Sequence, residues 1–543
     1  MAARPQHDRI RATRAPAIAA AFGVASLLSA CAVGPDFKPA EAPPGADYTP
    51  TPLPSTTDSA AVHGGEAQRF ALGHDIAFDW WKLFQSPALN ALVEQAFKAN
   101  PTIDAAVAAL KQAQENVYAQ QGYFYPNLQA GYTFQRIQVP GNTAGANAPG
   151  LQGNNTNIVQ TPPDSSSVNK ARPVTYSFHT AQLTVGFVPD VFGANRRSVE
   201  SLEAQAEAQR FALEAAYITL ASNVVAAALQ EASTRAQIEA TKEIIRVNEK
   251  SLEILQNQFR LGYAMRIDVA AQEAALAAAR ALLPPLEKQY EQTRDLIRAL
   301  VGNLPNQDVP QTFDIASIHL PEEPPVSLPS SLLEQRPDVR AADEQVHSAS
   351  AQVGVAIANR LPVFNITAVA GGGATYLSQI LAPGGGFWNL AAGFTQPLFD
   401  GFTLLHKERA ARQALIQAEA QYRSTVLTAF QNVADTLHAL VSDATALKTA
   451  VDAEQAAKVT LDLTAKQQQV GYVNYLTLLS AEQAYQTAVT TRVQAQATRF
   501  GDTAALYQAL GGGWWHRDDG DAKTADSART TPADGDSLKL ADK

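Results

Sequence analysis

The sequence predicts a mainly α protein with a β-barrel portion, assembled from two tandem repeats. Three observations carry that assignment. Residues 196–300 and 401–510 have the composition and period of long antiparallel helical hairpins. Four other segments alternate apolar with polar residues, the period of strands. The whole arrangement also occurs twice in the same order.

Composition sets the bounds. The chain has 543 residues, 46% hydrophobic and 17% charged, enough to bury a large core. Its net charge of -10 argues against nucleic acid as a partner. No continuous run of 18 apolar residues occurs. Arg4, Arg9, Arg11 and Arg14 precede an uncharged, mostly apolar stretch at 15–30, the architecture of a signal peptide. It ends in Leu28-Ser29-Ala30-Cys31, which resembles the bacterial lipobox, where the cysteine is lipidated and becomes the new N-terminus. Cys31 is the single cysteine, and acylation would remove a reactive thiol from an exported protein. The plainer alternative is a chance cysteine after an ordinary leader.

Residues 31–85 read as a lipidated tether, Pro-rich at 35–54, closing in the aromatic cluster Trp80, Trp81 and Phe84. The first repeat spans 86–320. Ser86-Pro87 and Asn100-Pro101 each place a capping side chain before a proline at the first helical position. From Pro126, Leu128, Ala130, Tyr132 and Phe134 alternate with Gln129, Gly131, Thr133 and Gln135. A barrel wall needs that pattern, and so does a soluble sheet with one buried face. A polar loop at 139–173 leads to a second strand, from Val174 through Tyr176 and Phe178 to Phe187. The stretch 197–260 then lacks Pro and Gly, with Val199, Ala206, Leu213, Leu220 and Ala227 spaced by sevens, and Ile238, Ile245, Leu252 and Phe259 after them. Such a helix would be ~100 Å long. Glu200, Glu203, Glu207, Arg210 and Glu214 argue against its crossing a membrane. It turns back at Leu261-Gly262-Tyr263.

The second repeat, 321–515, answers each feature. Arg336-Pro337-Asp338 opens its helix. Phe364, Ile366, Ala368 and Ala370 alternate with Asn365, Thr367 and Val369 in a third strand. Residues 371–386, with two Gly triplets, read as its loop, and 387–399 as the fourth strand. A long helix carries Val426, Val433, Leu440 and Leu447, with Phe430, Leu437, Ala444 and Val451 beside them, and turns at Val470-Gly471-Tyr472. The polar tail, 516–543, reads as disordered, and Trp514 and Trp515 as packing rather than an interfacial anchor. Bacterial barrels begin at about eight strands. Four strands therefore exclude a barrel closed by one chain, without choosing how many copies close it.

Several motifs together are specific: Cys31-Ala32-Val33-Gly34-Pro35-Asp36, Trp80-Trp81 with Phe84, Asp190-Val191-Phe192-Gly193, Pro397-Leu398-Phe399-Asp400-Gly401, Asn474-Tyr475-Leu476-Thr477-Leu478-Leu479, and Leu506-Tyr507-Gln508-Ala509-Leu510-Gly511-Gly512-Gly513-Trp514. In them the chain resembles the TolC-like outer-membrane efflux factors, in their NodT-type lipoprotein branch. The resemblance implies a homotrimer with a shared twelve-stranded barrel in outer-membrane lipid and a periplasmic helical tunnel. It also implies a periplasmic adaptor (membrane fusion) protein and an inner-membrane efflux pump, commonly of the resistance-nodulation-division type. Ala32 after the cysteine, where an inner-membrane lipoprotein has Asp, points to the outer membrane.

The family closes its tunnel with apolar and acidic rings near the second hairpin tip. Leu476 matches the apolar position, whereas the acidic ones match Thr477 and Ser480, a departure from the pattern. Asp268, the counterpart of Thr477 in the first repeat, is the remaining candidate for a carboxylate ring, the alternative being a helix cap. Adaptor docking is implied for Leu261, Gly262 and Tyr263 and for Val470, Gly471 and Tyr472. The expected function is a passive exit duct for drugs or other toxic solutes. A type I protein-secretion channel and a trimeric coiled-coil surface stalk or adhesin are the alternatives. No enzyme is expected, because no GxSxG elbow or HExxH pair occurs, and no metal or cofactor beyond the lipid on Cys31. Two Met residues argue against a methionine-lined copper route.

Overall fold

In the computed structural model, residues 32–39, 47–139 and 174–517 are described. The leader, Cys31, the loop at 140–173 and the tail from 518 lie outside them. The main elements run α1 (Pro87–Ala99), α2 (Pro101–Gln121), β2 (Asn127–Val139), β3 (Val174–Phe187), α3 (Ala194–Arg260), α4 (Arg266–Leu300), α5 (Pro329–Gln335), α6 (Pro337–Ala358), β5 (Val363–Ala374), β6 (Gly386–Thr395), α7 (Thr403–Gln469) and α8 (Tyr475–Ala509). Two short strands, β1 (Ala71–Leu72) and β4 (Pro325–Val326), pair in parallel. The duplication is close in length: α3 and α7 have 67 residues each, and α4 and α8 have 35 each. The helix starts follow their caps. Ser86 accepts from the Leu89 N–H, and Asn100 Oδ1 from the Thr102 N–H at 2.8 Å.

The chain divides into two compact units. The first takes in 111–207 and 344–420 with the N-terminal residues, and is built on an antiparallel sheet in the order β2-β3-β5-β6. The wall is longer on β5 than the sequence suggests. Gly371, Gly372 and Gly373 belong to the ladder, opposite Gln182, Ala181 and Thr180. Their lack of side chains reflects crowding rather than a loop. A Cβ on Gly371 would lie 2.3 Å from the Ala181 carbonyl oxygen. On β6 the strand stops at Thr395, short of 399, because Pro397 has no N–H for the ladder. The segment after Cys31 is tied down in the same unit. Val33 N–H donates to Phe192 O, Arg197 donates to Val33 O and to Asp36 at 2.7 Å, and Phe37 stacks on His347 at 4.3 Å.

The second unit (40–110, 208–343 and 421 onward) holds a collar of aromatic rings. Trp80 and Phe84 are fully buried, and Trp80 stacks on Tyr507 at 5.1 Å and 6°. Trp514 meets Phe211 edge-on at 5.6 Å and donates to Gln335 O, in keeping with packing rather than membrane anchoring. The seven-residue stripe is interior on α7, where Val433, Leu440 and Leu447 are all at 0% exposure, but Phe259 near the end of α3 is 41% exposed. One 18-residue window of α3 is apolar enough to cross a membrane, with mean hydropathy 1.5, yet 61% of it is buried by the protein. It reads as core.

A buried ion pair fixes the segment after α4 to the hairpin. Arg294 donates to Glu231 at 3.4 Å, to the Gln311 carbonyl at 2.6 Å and to Asp308 at 3.0 Å. The Glu231 side chain is at 0% exposure, and burial pushes its carboxyl above the usual range while Arg294 pulls it back. Removing one partner of such a pair leaves an uncompensated buried group. Arg294→Met should therefore cost about 3–5 kcal/mol, with Glu231→Gln added to it recovering part of the loss. Unfolding midpoints in detergent check both.

Candidate functional site: an exposed apolar sheet face and two hairpin tips

The registers sort the sheet into two faces. In antiparallel pairs, directly opposed residues share a face. One row is Ala130, Leu183, Ala370 and Trp388, and the next is Leu128, Val185, Ala368 and Leu390. The following rows reach Phe187 and Ile366, then Phe364 and Phe394. At the other end Phe134 stands beside His179 at 4.9 Å, and the Tyr132 hydroxyl lies 2.7 Å from His179 Nδ1. This face is a band of aliphatic residues between two aromatic levels, the pattern of an outer-membrane wall. The opposite face carries Gln129, Thr133, Gln182, Thr184, Asn365, Thr367 and Asn389. Exposure decides between the two readings that alternation left open. A soluble sheet would bury the apolar side, but Leu128 is 67% exposed, Trp388 80% and Phe394 68%.

The two hairpin tips share one geometry. Gly262 and Gly471 have φ of 80° and 81°, the left-handed region that favours glycine. Tyr263 N–H donates to Gln258 O at 2.8 Å and Tyr472 N–H to Gln467 O at 2.9 Å, so each long helix ends in a Schellman turn. Among the described residues no atom lies within 4 Å of where a Cβ on either glycine would stand, so backbone conformation rather than space favours Gly there. Leu261, Tyr263, Val470 and Tyr472 are exposed, between 68% and 84%.

Beside the tips, Leu476 is 40% exposed. Thr477 gives its N–H and hydroxyl to Asn474 Oδ1, which caps α8, and the Ser480 hydroxyl donates to Leu476 O. Asp268 is 8% exposed, and its carboxylate accepts the Met265 N–H at 3.1 Å, so it performs the capping role. The structure adds a link that sequence reasoning missed. The Tyr475 hydroxyl donates to Gln272 Oε1 at 2.6 Å, and Gln272 donates to the Asn248 carbonyl and side-chain oxygens at 3.0 Å, joining α8, α4 and α3. The available signal was Gln272, a polar residue in the apolar stripe with Val269 and Leu276. Burial raises the Tyr475 phenol and, further along α8, the Glu482 carboxyl. Among the described residues no group of three or more His, Cys, Asp or Glu could hold a metal ion.

These features define a class: a channel protein of the outer membrane, with lipid-facing strands and long helical hairpins. The chain belongs to the outer membrane efflux protein family, whose model matches residues 92–303 and 328–512. It is 27% identical over 472 residues to the pyoverdine export outer membrane protein OpmQ of Pseudomonas putida, covering 86% of this chain and 94% of that one. It is 25% identical over 498 residues to the toluene efflux pump outer membrane protein TtgC of a second Pseudomonas putida strain, covering 91% and 95%. Among solved structures, the outer-membrane channel OprN superposes with a TM-score of 0.74 at 24% identity, covering 89% of this chain and all of that one. The fold is that of the TolC-like channels, helical tunnel and barrel. The protein is an outer-membrane efflux channel.

One electrostatic feature makes the fold pH-dependent. Burial and the adjoining Asp502 push the Asp443 carboxyl up to about 7, against a smaller opposing pull from Arg499. Its ordinary value is 3.8, so the folded chain holds this proton more tightly than the unfolded one. The stability it contributes is full below about pH 4, falls as pH rises towards about 7, and levels off above that. Wild type should lose more thermal stability between pH 5 and pH 8 than Asp443→Asn does. Scanning calorimetry at the two pH values checks the difference.

Proposed function

We propose that the chain is the passive exit duct of a tripartite efflux complex, and that three copies close one barrel. The exposed apolar face on an open four-stranded sheet carries this reading. Strands β2 and β6 are the edges of the described sheet, and in lipid those edges need strands from other copies. Three copies give twelve strands, and their hairpins form a periplasmic tunnel whose assembly covers stripe residues such as Phe259. The duct performs no chemistry of its own. A lipid on Cys31 anchors the leading segment. The support is that Ala32 packs against Gly193, just beyond β3, with Arg197 holding Val33 and Asp36.

Leu476 forms the apolar constriction, with the Thr477 and Ser480 hydroxyls and Asp268 near the same helix starts. The exposed pairs Leu261 and Tyr263, and Val470 and Tyr472, are knobs for a periplasmic adaptor that connects to an inner-membrane pump. The solute expelled is set by that pump. Pyoverdine and toluene are what the names of OpmQ and TtgC give for those proteins.

Mass measurement and planar-bilayer recording on protein purified from outer membranes test the duct. A complex of three chains that conducts is expected, and a monomer without conductance overturns the reading. The tips are tested by Leu261→Asp with Val470→Asp. Stability should change by no more than about 0.5 kcal/mol, as for exposed sites in general. Conductance should persist, and resistance to several unrelated compounds should drop to that of a strain lacking the gene. Unchanged resistance removes the tips from docking.

A further inference from the structure

The turn between β5 and β6 does not project away from the sheet. Residues 375–385 fold back across its apolar face, with Ile380 buried and its carbonyl oxygen 2.2 Å from where a Cβ on Gly372 would stand. Between turn and strands lies a recess of about 610 Å³, a volume within the range of small-molecule sites. Ala130, Ala181 and Ala370 from three strands floor it, and Leu381 and Pro383 roof it. Among the described residues no charged side chain lines it. The floor is deep because small residues stand there, while Leu183 and Trp388 rise in the same row as Ala130 and Ala370. Leu381 is 94% exposed, so the roof presents apolar surface with almost no cover from its own chain.

The occupant follows from position. Its floor residue Ala370 lies opposite the exposed Trp388 in the ladder, with Leu390 in the next row, so the recess adjoins the exposed apolar band. It is centred on the inner strands β3 and β5, away from the edges where copies pair. It also lies towards the turn end of the strands, opposite the end where the helices begin. On the same face, four residues beyond Tyr132, the exposed Arg136 stands about 13 Å along the strand, at a strand's usual rise. A phosphate at that level would meet a guanidinium, and a chain descending from it would reach the recess.

We propose that the recess holds an acyl chain of lipopolysaccharide, with a phosphate of the same lipid at Arg136. This rests on the barrel reading, which places the turn end of the strands in the outer leaflet. The bound chain fills the space under 375–385 and keeps that turn flat against the outside of the wall, clear of the pore mouth.

The test is native mass spectrometry of the full protein extracted in mild detergent from lipopolysaccharide-containing outer membranes, with bilayer conductance measured on the same samples. Wild type should retain lipopolysaccharide. Ala370→Phe, which fills the floor, and Leu381→Asp, which makes the roof polar, should each lower occupancy at least about tenfold, comparable to exposing about two buried methylenes. Arg136→Gln should lower it less. If Ala370→Phe fails to assemble, Leu381→Asp on the exposed turn still reads the recess, and its conductance should match wild type. No retained lipid, equal retention by the variants, or retention of phospholipid instead would each overturn the assignment. Protein that conducts without the lipid sinks this inference alone, whereas protein that neither inserts nor conducts sinks the barrel reading beneath it.

Discussion

The structure depends on a backbone constraint. Each strand edge presents N–H and C=O groups, and hydrocarbon offers no water to receive them. A sheet of four strands with an exposed apolar face, as in β2, β3, β5 and β6, has two such edges and cannot close on itself. Oligomerisation is then a requirement of the wall. The same constraint explains the Gly-rich run on β5, where the ladder continues through Gly371 to Gly373 because the neighbouring backbone and a folded-back turn leave no room for a Cβ. Side-chain volume is given up there so that hydrogen bonding can be kept.

Duplication supplies the second condition. Helices that must pack along their length have to agree in length, and equal pairs of 67 and 35 residues meet that condition within one chain. Both tips then end in the same Schellman turn with glycine at the same φ. Polar side chains mark where the helices are held in register. Gln272 is wholly buried, and its amide is satisfied by Asn248 and Tyr475, so the cost of burying it is offset by three hydrogen bonds.

Much of this was legible in the sequence because it lies in periodicity and in chain-breaking residues. The strands, the long helices, both glycine turns and the proline-led helix starts are local signals, and each appears where the local physics puts it. What escaped was decided by neighbours distant in sequence. Gly371 to Gly373 look like a loop until Ala181 and Phe178 are placed beside them. Asp268 offered two readings, and which atom its carboxylate meets depends on how the chain enters α4. The recess under 375–385 had no local signature, because its floor comes from three strands spread along the chain from Ala130 to Ala370.

Exposure separates the working surfaces from the scaffold. A soluble protein of this size hides its aromatic and aliphatic side chains, and the collar around Trp80, Phe84 and Tyr507 does so. Elsewhere two groups of uncovered apolar side chains carry the contrast: the adjacent rows through Leu128 and Leu390 and through Leu183 and Trp388, and the knobs Leu261, Tyr263, Val470 and Tyr472. The first is a broad band between aromatic levels, suited to a fluid solvent of acyl chains, which conforms to any surface. The second is a pair of small protrusions on rigid turns, which gain affinity only from a partner already shaped to receive them. In the proposed duct one apolar surface therefore meets a medium and the other a specific protein, and the difference lies in area and curvature rather than in residue type.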